Sequence, residues 1–431
     1  MSMNAGTKKK IIGVAVLAAV IIGGSFWTGW RTEQRFRDSI EEMDKLGVQV
    51  SLLDYRRGLF SATARTEVLT PTFGTLSFSH SIWHGPLLAF ASSASIRSEL
   101  MLSENLTAQL RAAFGDDPFK GKTPLTVTST FGLFGGNSFH IVSPKFEAVV
   151  EKDQTKLSWG GLDGKITLGS DYSKVKADVV LDGLSVESRE IQIQMGRTSF
   201  QSDIKKPSGY EILYVGTSNL ALDKLSFHAT AKESDSIRAL TVENFSSKNT
   251  TSINKGALDI KIQFGADTLD IDDKPEFSIK KLGLTFLYEN IDGKAIEAFS
   301  KDSPHTDRQK TIQESLLRKP SFSVKDVSAT WPEGVTTGNF RIAYIGDGDI
   351  DKFSPADLNA DLQISLPTAL FHRLLADQFP VQADNLNALI EKGILIEKDG
   401  VLTIDASFKD NVLNLNGKQE PLEALRSELG F

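Results

Sequence analysis

The sequence predicts an α+β protein that is mainly antiparallel β, with an N-terminal transmembrane helix, a helical neck and a large strand-rich extracytoplasmic body. Three observations support this class. The run from Ile11 to Trp30 carries no charged side chain, a stretch with helical periodicity follows it, and from Val48 onward the apolar period becomes two. Gly, Asp and Asn turns separate many of the strands, as in antiparallel meanders, and few segments show βαβ alternation.

The uncharged run Ile11–Trp30 has the length of a membrane span. A helix rises 1.5 Å per residue, so these residues reach about 30 Å, the thickness of the hydrocarbon core. Trp27 and Trp30 lie at the far end, where indole rings favour the headgroup layer. Three contiguous lysines, Lys8 to Lys10, precede the run after a very short tail. We therefore expect a single-pass signal-anchor with a cytoplasmic N-terminus and a body outside the cytoplasm.

Other interpretations of this segment are open to test. A cleaved signal peptide would use Ile11–Ile22 as its apolar core and Gly23-Gly24-Ser25 as its cleavage region. The apolar run continues beyond that region, which favours an uncleaved anchor. A lipoprotein is excluded because the chain has no cysteine to acylate. A buried helix of a soluble domain rarely stays uncharged over this length.

The sequence divides into five regions. Phe36, Ile40 and Met43 recur at helical spacing in the neck, and Gly47 ends it. Near residue 290 helical segments begin to alternate with strands. The regions are a cytoplasmic tail (1–10), the anchor (11–30), the helical neck (31–47), a strand-rich region (48–290) and a mixed helix and strand region (291–431) that closes the same body.

The periodicity predicts individual elements of the body. Tyr210–Thr217 and Leu225–Ala231 are predicted as separate strands, and the next strand is placed at Ile260–Phe264. Helices are predicted in the body at Asn105–Phe114, Ala295–Phe299, Thr311–Leu317, Pro367–Ala376 and Leu386–Lys392, and a short helix is predicted after Asn416-Gly417. Phenylalanine is abundant, at 26 residues, which fits packed sheets.

Composition excludes some classes of function. Net charge is −7, the pI is near 5.6, and no basic patch follows the N-terminal lysines, so nucleic-acid binding is not expected. An acidic body gains nothing from anionic headgroups, so its membrane contact should come from the anchor, Ile11 to Trp30. The absence of cysteine permits an extracytoplasmic body and excludes a cysteine nucleophile.

Two histidines have the spacing of a helical metal site. His80 and His84 lie four residues apart. Their segment alternates as a strand, in which residues i and i+4 share a face but lie roughly 13 Å apart. That separation is too large for one zinc ion. We interpret both as ordinary sheet histidines.

Two further motifs fail on their spacing. Asp347, Asp349 and Asp351 resemble the first ligands of a calcium loop, but Lys352 and Leu358 stand where the loop needs Gly and Glu. We interpret the segment as a solvated acidic turn.

The glycines around Gly121-Lys122-Thr123 resemble a phosphate loop with one residue too many, and Asp116, Asp117 and Pro118 do not suit an anion. The sequence assigns no catalytic, cofactor-binding or metal-binding residue.

One glycine-rich segment is a candidate for a mobile apolar lip. Phe131, Leu133 and Phe134 are set among Gly132, Gly135 and Gly136. These side chains would border a groove that accepts an acyl chain. The alternative is that they pack in the core beneath a glycine-rich turn.

Short motifs along nearly the whole chain resemble the YdgA-like family of bacterial proteins of unknown function. The motifs are Tyr55-Arg56-Arg57-Gly58-Leu59-Phe60-Ser61, His84-Gly85-Pro86-Leu87, Lys156-Leu157-Ser158-Trp159-Gly160-Gly161-Leu162, Glu289-Asn290-Ile291-Asp292, Leu316-Leu317-Arg318-Lys319-Pro320, Trp331-Pro332-Glu333-Gly334 and Leu413-Asn414-Leu415-Asn416-Gly417-Lys418. The resemblance implies a Gram-negative cell-envelope protein anchored in the inner membrane, with a periplasmic body. It implies no activity and transfers no catalytic residue.

These observations lead to three functional hypotheses. The first is a non-enzymatic envelope protein that binds a lipid or another envelope protein through an extended β surface or groove. The second is a structural assembly subunit, which would expose a large apolar patch. The third is a hydrolase whose site is assembled from distant residues, which would show a pocket with converging polar groups.

Overall fold

The computed structural model describes residues 25–41, 48–70, 74–84, 94–132, 136–230, 238–272, 274–300, 308–378 and 383–421. The chain forms two compact units, Met1–Arg189 and Glu190–Phe431. This division lies well before residue 290, where the sequence changes in character and where the helices of the second unit begin. Both units are built mainly of antiparallel strands, as the sequence predicts.

Helix α1 comprises residues 25–41 and overlaps both the predicted anchor and the predicted neck. Residues 11–24 of the anchor and 42–47 of the neck lie outside the described residues. Among the residues that the structure describes, no helix is long and apolar enough to cross a membrane.

The strands of unit 1 form an antiparallel meander in chain order. Strands β1 to β6 pair consecutively, β6 pairs with β9, and β9 pairs with β10. A shorter ladder joins β7, β8 and β11. The strands are β1 Val50–Arg57, β2 Ser61–Thr70, β3 Gly74–His84, β4 Ala94–Met101, β5 Thr126–Phe131, β6 Asn137–Ser143, β7 Phe146–Val150, β8 Thr155–Trp159, β9 Leu162–Leu168, β10 Lys174–Leu181 and β11 Leu184–Glu187.

The predicted helix at Asn105–Phe114 is present as α2, Glu104–Phe114. Ser103 caps it by accepting a hydrogen bond from the backbone N–H of Leu106 at 3.1 Å. Gly115 ends it in the left-handed region at φ 75°. Local signals that sequence inspection recognises therefore place both ends of this helix.

Unit 2 has the same meander pattern, with longer strands. Strands β12 and β13 pair with different parts of β14, and β14 to β20 then pair in order. Strand β20 pairs with β22, which also pairs with β21 and β23. The strands are β12 Ile191–Met195, β13 Thr198–Lys205, β14 Val215–Ala229, β15 Ala239–Asn254, β16 Ala257–Ile271, β17 Ile279–Asp292, β18 Ser321–Trp331, β19 Gly334–Tyr344, β20 Leu358–Pro367, β21 Ile396–Lys398, β22 Val401–Lys409, β23 Val412–Leu415 and β24 Lys418–Pro421.

Four helices of unit 2 lie at or near their predicted positions. They are α3 Gly293–Ser300, α4 Arg308–Leu316, α5 Thr368–Gln378 and α6 Ala383–Glu391.

Strands β14 and β15 differ from the prediction. The two strands predicted on either side of Leu220 are one strand, Val215–Ala229, and β15 was not predicted. The second half of β15 carries Ser, Lys, Asn and Thr on both faces, so it has no apolar alternation to detect. Its pairing with β14 and β16 specifies this strand instead.

The long strands of unit 2 are interrupted along one line. Asn244 in β15, Lys281 in β17 and Asp326 in β18 have positive φ values between 51° and 54°. Lys281 and Asp326 lie where the register shifts, whereas the strand of Asn244 keeps its register on both sides. Bulges such as those at Lys281 and Asp326 bend a strand and increase its twist.

Candidate functional site

Five phenylalanines form a continuous row across neighbouring strands β15 to β19. Successive ring centroids in the row lie 6.2 to 6.4 Å apart, within the range of favourable aromatic pairs. We call this surface the aromatic face and define it by Phe245, Phe264, Phe286, Phe322 and Phe340.

Strand register confirms that these rings share one side of the sheet. Phe264 is paired with Leu284, Phe286 with Val324, and Phe340 with Leu362. Paired residues in antiparallel strands point to the same side. Next to these rings this side carries aliphatic residues, while Lys280, which pairs with Thr268, takes the same side towards one end of the strands.

The opposite side of the same strands is polar. Arg341 follows Phe340 along β19 and points the other way, paired with Ser323 and Asp361. Lys261 and Gln263 hold the corresponding positions on β16. The sheet is thus amphipathic, and all five rings of its aromatic face are half-buried. The abundance of phenylalanine is visible in the sequence, but the alignment of the rings is not, because it depends on strand register.

A second cluster joins α1 to the sheet of unit 1. Small residues of α1 face the strands, and a Cβ built on Gly29 would lie 2.5 Å from Cε1 of His84. Phe36 packs its edge against His80, with ring centroids 5.2 Å apart. Glu33 bridges Arg37 at 3.0 Å and Arg57 at 3.4 Å. The Tyr55–Ser61 and His84 motifs therefore meet at the helix.

His80 and His84 lie on the same face of β3 and are both buried. The ring of His80 bridges the hydroxyl groups of Thr66 and Ser98, each at 2.8 Å. Burial lowers the pKa of His80 to about 4. A ring that stays neutral between two hydroxyls serves as a structural bridge across three strands, not as a base near pH 7.

Neither ring nitrogen of His84 makes a hydrogen bond of good geometry. Burial lowers its pKa, although the nearby backbone carbonyl groups of Ser61 and Ser25 act in the opposite direction. Gly29 makes room for this ring, so His84 acts as the contact point between strand and helix.

The other motifs of the family resemblance form structural ties. Arg318 donates a hydrogen bond to the Asp292 carboxylate, which also accepts from the N–H groups that begin α3. Arg373 pairs with Glu333 at 2.6 Å. Asn416 donates to two backbone carbonyl groups of the loop after α6. These ties connect segments that are distant in sequence.

The acidic turn at Asp347 to Asp351 is held by its own backbone. Asp347 accepts from the N–H of Asp349, and Asp349 accepts from the N–H of Asp351. The Lys352 ammonium lies 2.8 Å from Asp349 and holds the pKa of that carboxyl below its usual range. Within the described ranges, no group of three or more acidic or histidine side chains could hold a metal ion.

In the phosphate-loop-like segment, the carboxylate of Asp117 accepts hydrogen bonds from the N–H groups of Phe119 at 2.9 Å and Gly121 at 2.7 Å. An acidic side chain therefore occupies the donors that a phosphate would use.

The predicted apolar lip is only partly described. Phe131 ends β5 and packs against the buried cluster of Ala62, Ala64, Ile82 and Ile96. Leu133 and Phe134 lie outside the described residues. The lip as a whole therefore stays a prediction.

The comparison with known families agrees with the recognition from motifs. Residues 8–423 match the family described as "Bacterial protein of unknown function (DUF945)", and the chain belongs to that family. The expectation of an uncharacterised bacterial family is thus confirmed. No curated protein and no solved structure matches the chain.

Proposed function

We propose that this protein is a non-enzymatic, membrane-anchored envelope protein of the periplasm, whose aromatic face binds the acyl chains of lipids. The observation that carries the proposal is the row of five half-buried rings on one side of a sheet whose opposite side carries Lys261, Gln263 and Arg341. The uncharged segment Ile11–Trp30 would hold this surface beside the membrane.

The dimensions of the aromatic face suit an acyl chain. Strands lie about 4.8 Å apart, so five strands extend about 19 Å. One leaflet of a bilayer has a hydrocarbon depth of about 15 Å. Each methylene that leaves water contributes about 0.8 kcal/mol, so even a partly covered chain would bind.

A scaffolding function for another envelope protein is the second candidate. The same aromatic face would then pack against a partner sheet or helix. The structural ties at Asp292 and Glu333 fit both candidates, because each stabilises the sheet without forming a reactive group.

A photocrosslinking pair on β19 tests what contacts the aromatic face. Phe340 is replaced by a photoreactive phenylalanine derivative in the full chain, expressed in a Gram-negative host and irradiated in intact cells. Arg341 carries the same replacement as the control, because it is adjacent in sequence and points to the other side. Mass spectrometry identifies what each probe captures.

Lipid adducts at Phe340 and not at Arg341 would support acyl-chain binding. Capture of a protein at Phe340 would favour scaffolding. Crosslinks from Phe340 only to this chain would show that its own residues cover the face, and the proposal would fail.

Topology is tested separately. An alkaline phosphatase fused to the C-terminus should be active in the same host, since the enzyme folds only outside the cytoplasm. If this fusion is inactive while a fusion to a protein that fluoresces only in the cytoplasm is fluorescent, the predicted orientation of the chain is wrong.

A further inference from the structure

One end of the unit 1 sheet carries exposed apolar side chains from three elements. They come from the start of α1, from the turn between β1 and β2, and from the end of β3. Their exposed fractions range from 42% to 59%. The residues are Phe26, Trp27, Trp30, Leu59, Phe60 and Trp83. We call this set the aromatic end.

Direct contacts hold these elements together. The Arg57 guanidinium lies 4.9 Å from the centre of the Phe26 ring, which joins β1 to α1. The backbone N–H of His84 donates to the carbonyl of Phe60 at 3.0 Å, which joins β3 to the turn. His84 in turn abuts Gly29 of α1. The aromatic end is therefore one surface.

The positions of these contacts along α1 show how far they lie from the end of the predicted anchor. His84 meets Gly29, two residues before Arg31, the first charge after the uncharged run. Phe26 lies five residues before Arg31, which is about 7.5 Å along the helix axis. The interfacial layer on each side of a bilayer is about 5–7.5 Å deep. With Arg31 at the aqueous edge of that layer, the contacts at Gly29 and Phe26 lie within it.

We propose that the aromatic end inserts into the headgroup layer of the membrane, so that unit 1 rests on the bilayer in a fixed orientation. This inference rests on the proposed anchor, which brings α1 to the membrane. Trp and other aromatic side chains favour this layer. Trp83 points to the side of the sheet opposite His84 and α1, so apolar groups flank both sides of the end.

The charges at the aromatic end suit anionic headgroups. The Arg31 guanidinium lies 4.8 Å from the Trp27 ring, and Arg57 lies over Phe26. Arg56 is highly exposed and pairs with the Asp54 carboxylate at 2.8 Å, and Arg57 pairs with Glu33 at 3.4 Å, so an anionic headgroup at either arginine would compete with a carboxylate of the chain. The net charge of −7 belongs to the whole chain, whereas these cations lie beside the apolar groups. Membrane contact is therefore not confined to the anchor.

Single-cysteine labelling tests the inference cleanly, because the chain has no cysteine of its own. Phe60→Cys and Trp83→Cys are each labelled with an environment-sensitive fluorophore in the full chain. The protein is reconstituted in vesicles of phosphatidylethanolamine and phosphatidylglycerol that carry a lipid-attached quencher. Leu69→Cys is the matched control: it is 53% exposed and lies on β2, about 26 Å from Ser61. Leu17→Cys reports on the anchor.

Labels at Phe60→Cys and Trp83→Cys should shift to shorter emission wavelength and lose most of their fluorescence to the quencher, while Leu69→Cys should not. If Leu17→Cys is quenched but Phe60→Cys and Trp83→Cys behave like Leu69→Cys, the inference is wrong and the anchor stands. If Leu17→Cys is not quenched, both the anchor and the inference fail. Circular dichroism checks that every variant is folded.

Discussion

The neutral ring of His80 should make stability depend on pH in a specific window. Burial lowers the pKa of His80 to about 4, against an ordinary value of 6.5. The unfolded chain therefore binds a proton between pH 6.5 and 4 that the folded chain does not bind. The contribution of this ring to stability is complete above pH 6.5 and falls as the pH is lowered towards 4.

The size of this effect follows from the two pKa values. One pKa unit corresponds to about 1.4 kcal/mol, so the loss from His80 is about 2 kcal/mol at pH 5 and about 3 kcal/mol at pH 4. Burial also lowers the pKa of His84, so its ring acts in the same direction. The pH dependence of the free energy of unfolding of the wild type thus contains more than one contribution, and a variant is needed to isolate that of His80.

His80→Gln isolates the contribution. The amide of glutamine has a donor and an acceptor for the hydroxyls of Thr66 and Ser98 but does not titrate. Urea unfolding of the full chain in detergent, followed by tryptophan fluorescence, would be compared at pH 7.5 and pH 5. The free energy of unfolding of the wild type should fall by about 2 kcal/mol more than that of His80→Gln. Equal losses in the two proteins would refute the buried neutral ring.

Substitutions at Gly29, Glu297 and Arg318 test three further contacts of the structure. Gly29→Leu should lower the free energy of unfolding by about 1–3 kcal/mol, because the new side chain meets the buried ring of His84. Trp30→Leu is the control on the exposed side of the helix and should change this free energy little. Equal urea midpoints for the two variants would contradict the close contact between Gly29 and His84. Glu297 of α3 is buried, accepts hydrogen bonds from the backbone N–H groups of Glu211 and Ile212, and pairs with Lys294 at 3.1 Å. Burial alone would raise the pKa of Glu297, but these donors lower it to about 2. We expect Glu297→Ala to lower the free energy of unfolding by about 1–2 kcal/mol and Glu297→Gln by less, and the reverse order in thermal unfolding would contradict this role. Arg318→Leu should cost about 1.5–3 kcal/mol by leaving the Asp292 carboxylate without its cation, and an unchanged melting temperature would show that the tie is dispensable.

Local features of the structure could be predicted because their signals are local. Ser103 and Gly115 bound a helix that sequence inspection places within one residue. Asn416-Gly417 forms a two-residue turn with φ values of 50° and 84°, which few other residue pairs adopt easily. Alternating apolar residues on β3 reveal a strand with a buried face.

The candidate sites could not be predicted in the same way. The five rings of the aromatic face are distributed over about 95 residues of sequence, and a shift of one residue in any strand would turn its ring to the polar side. Strand β15 has no apolar alternation in its second half, so only its neighbours reveal it.

The sequence by itself determined the mainly antiparallel β class and the family, because the first depends on the period of the apolar residues and the second on motif order. Only the tertiary structure decided which side chains meet. His84 contacts Gly29 across 55 positions of sequence, and Asp292 meets Arg318 across 26. Such contacts depend on strand register and on how helices dock against the sheet. Both are set when the whole sheet buries its apolar area cooperatively, so no local segment of the sequence specifies them.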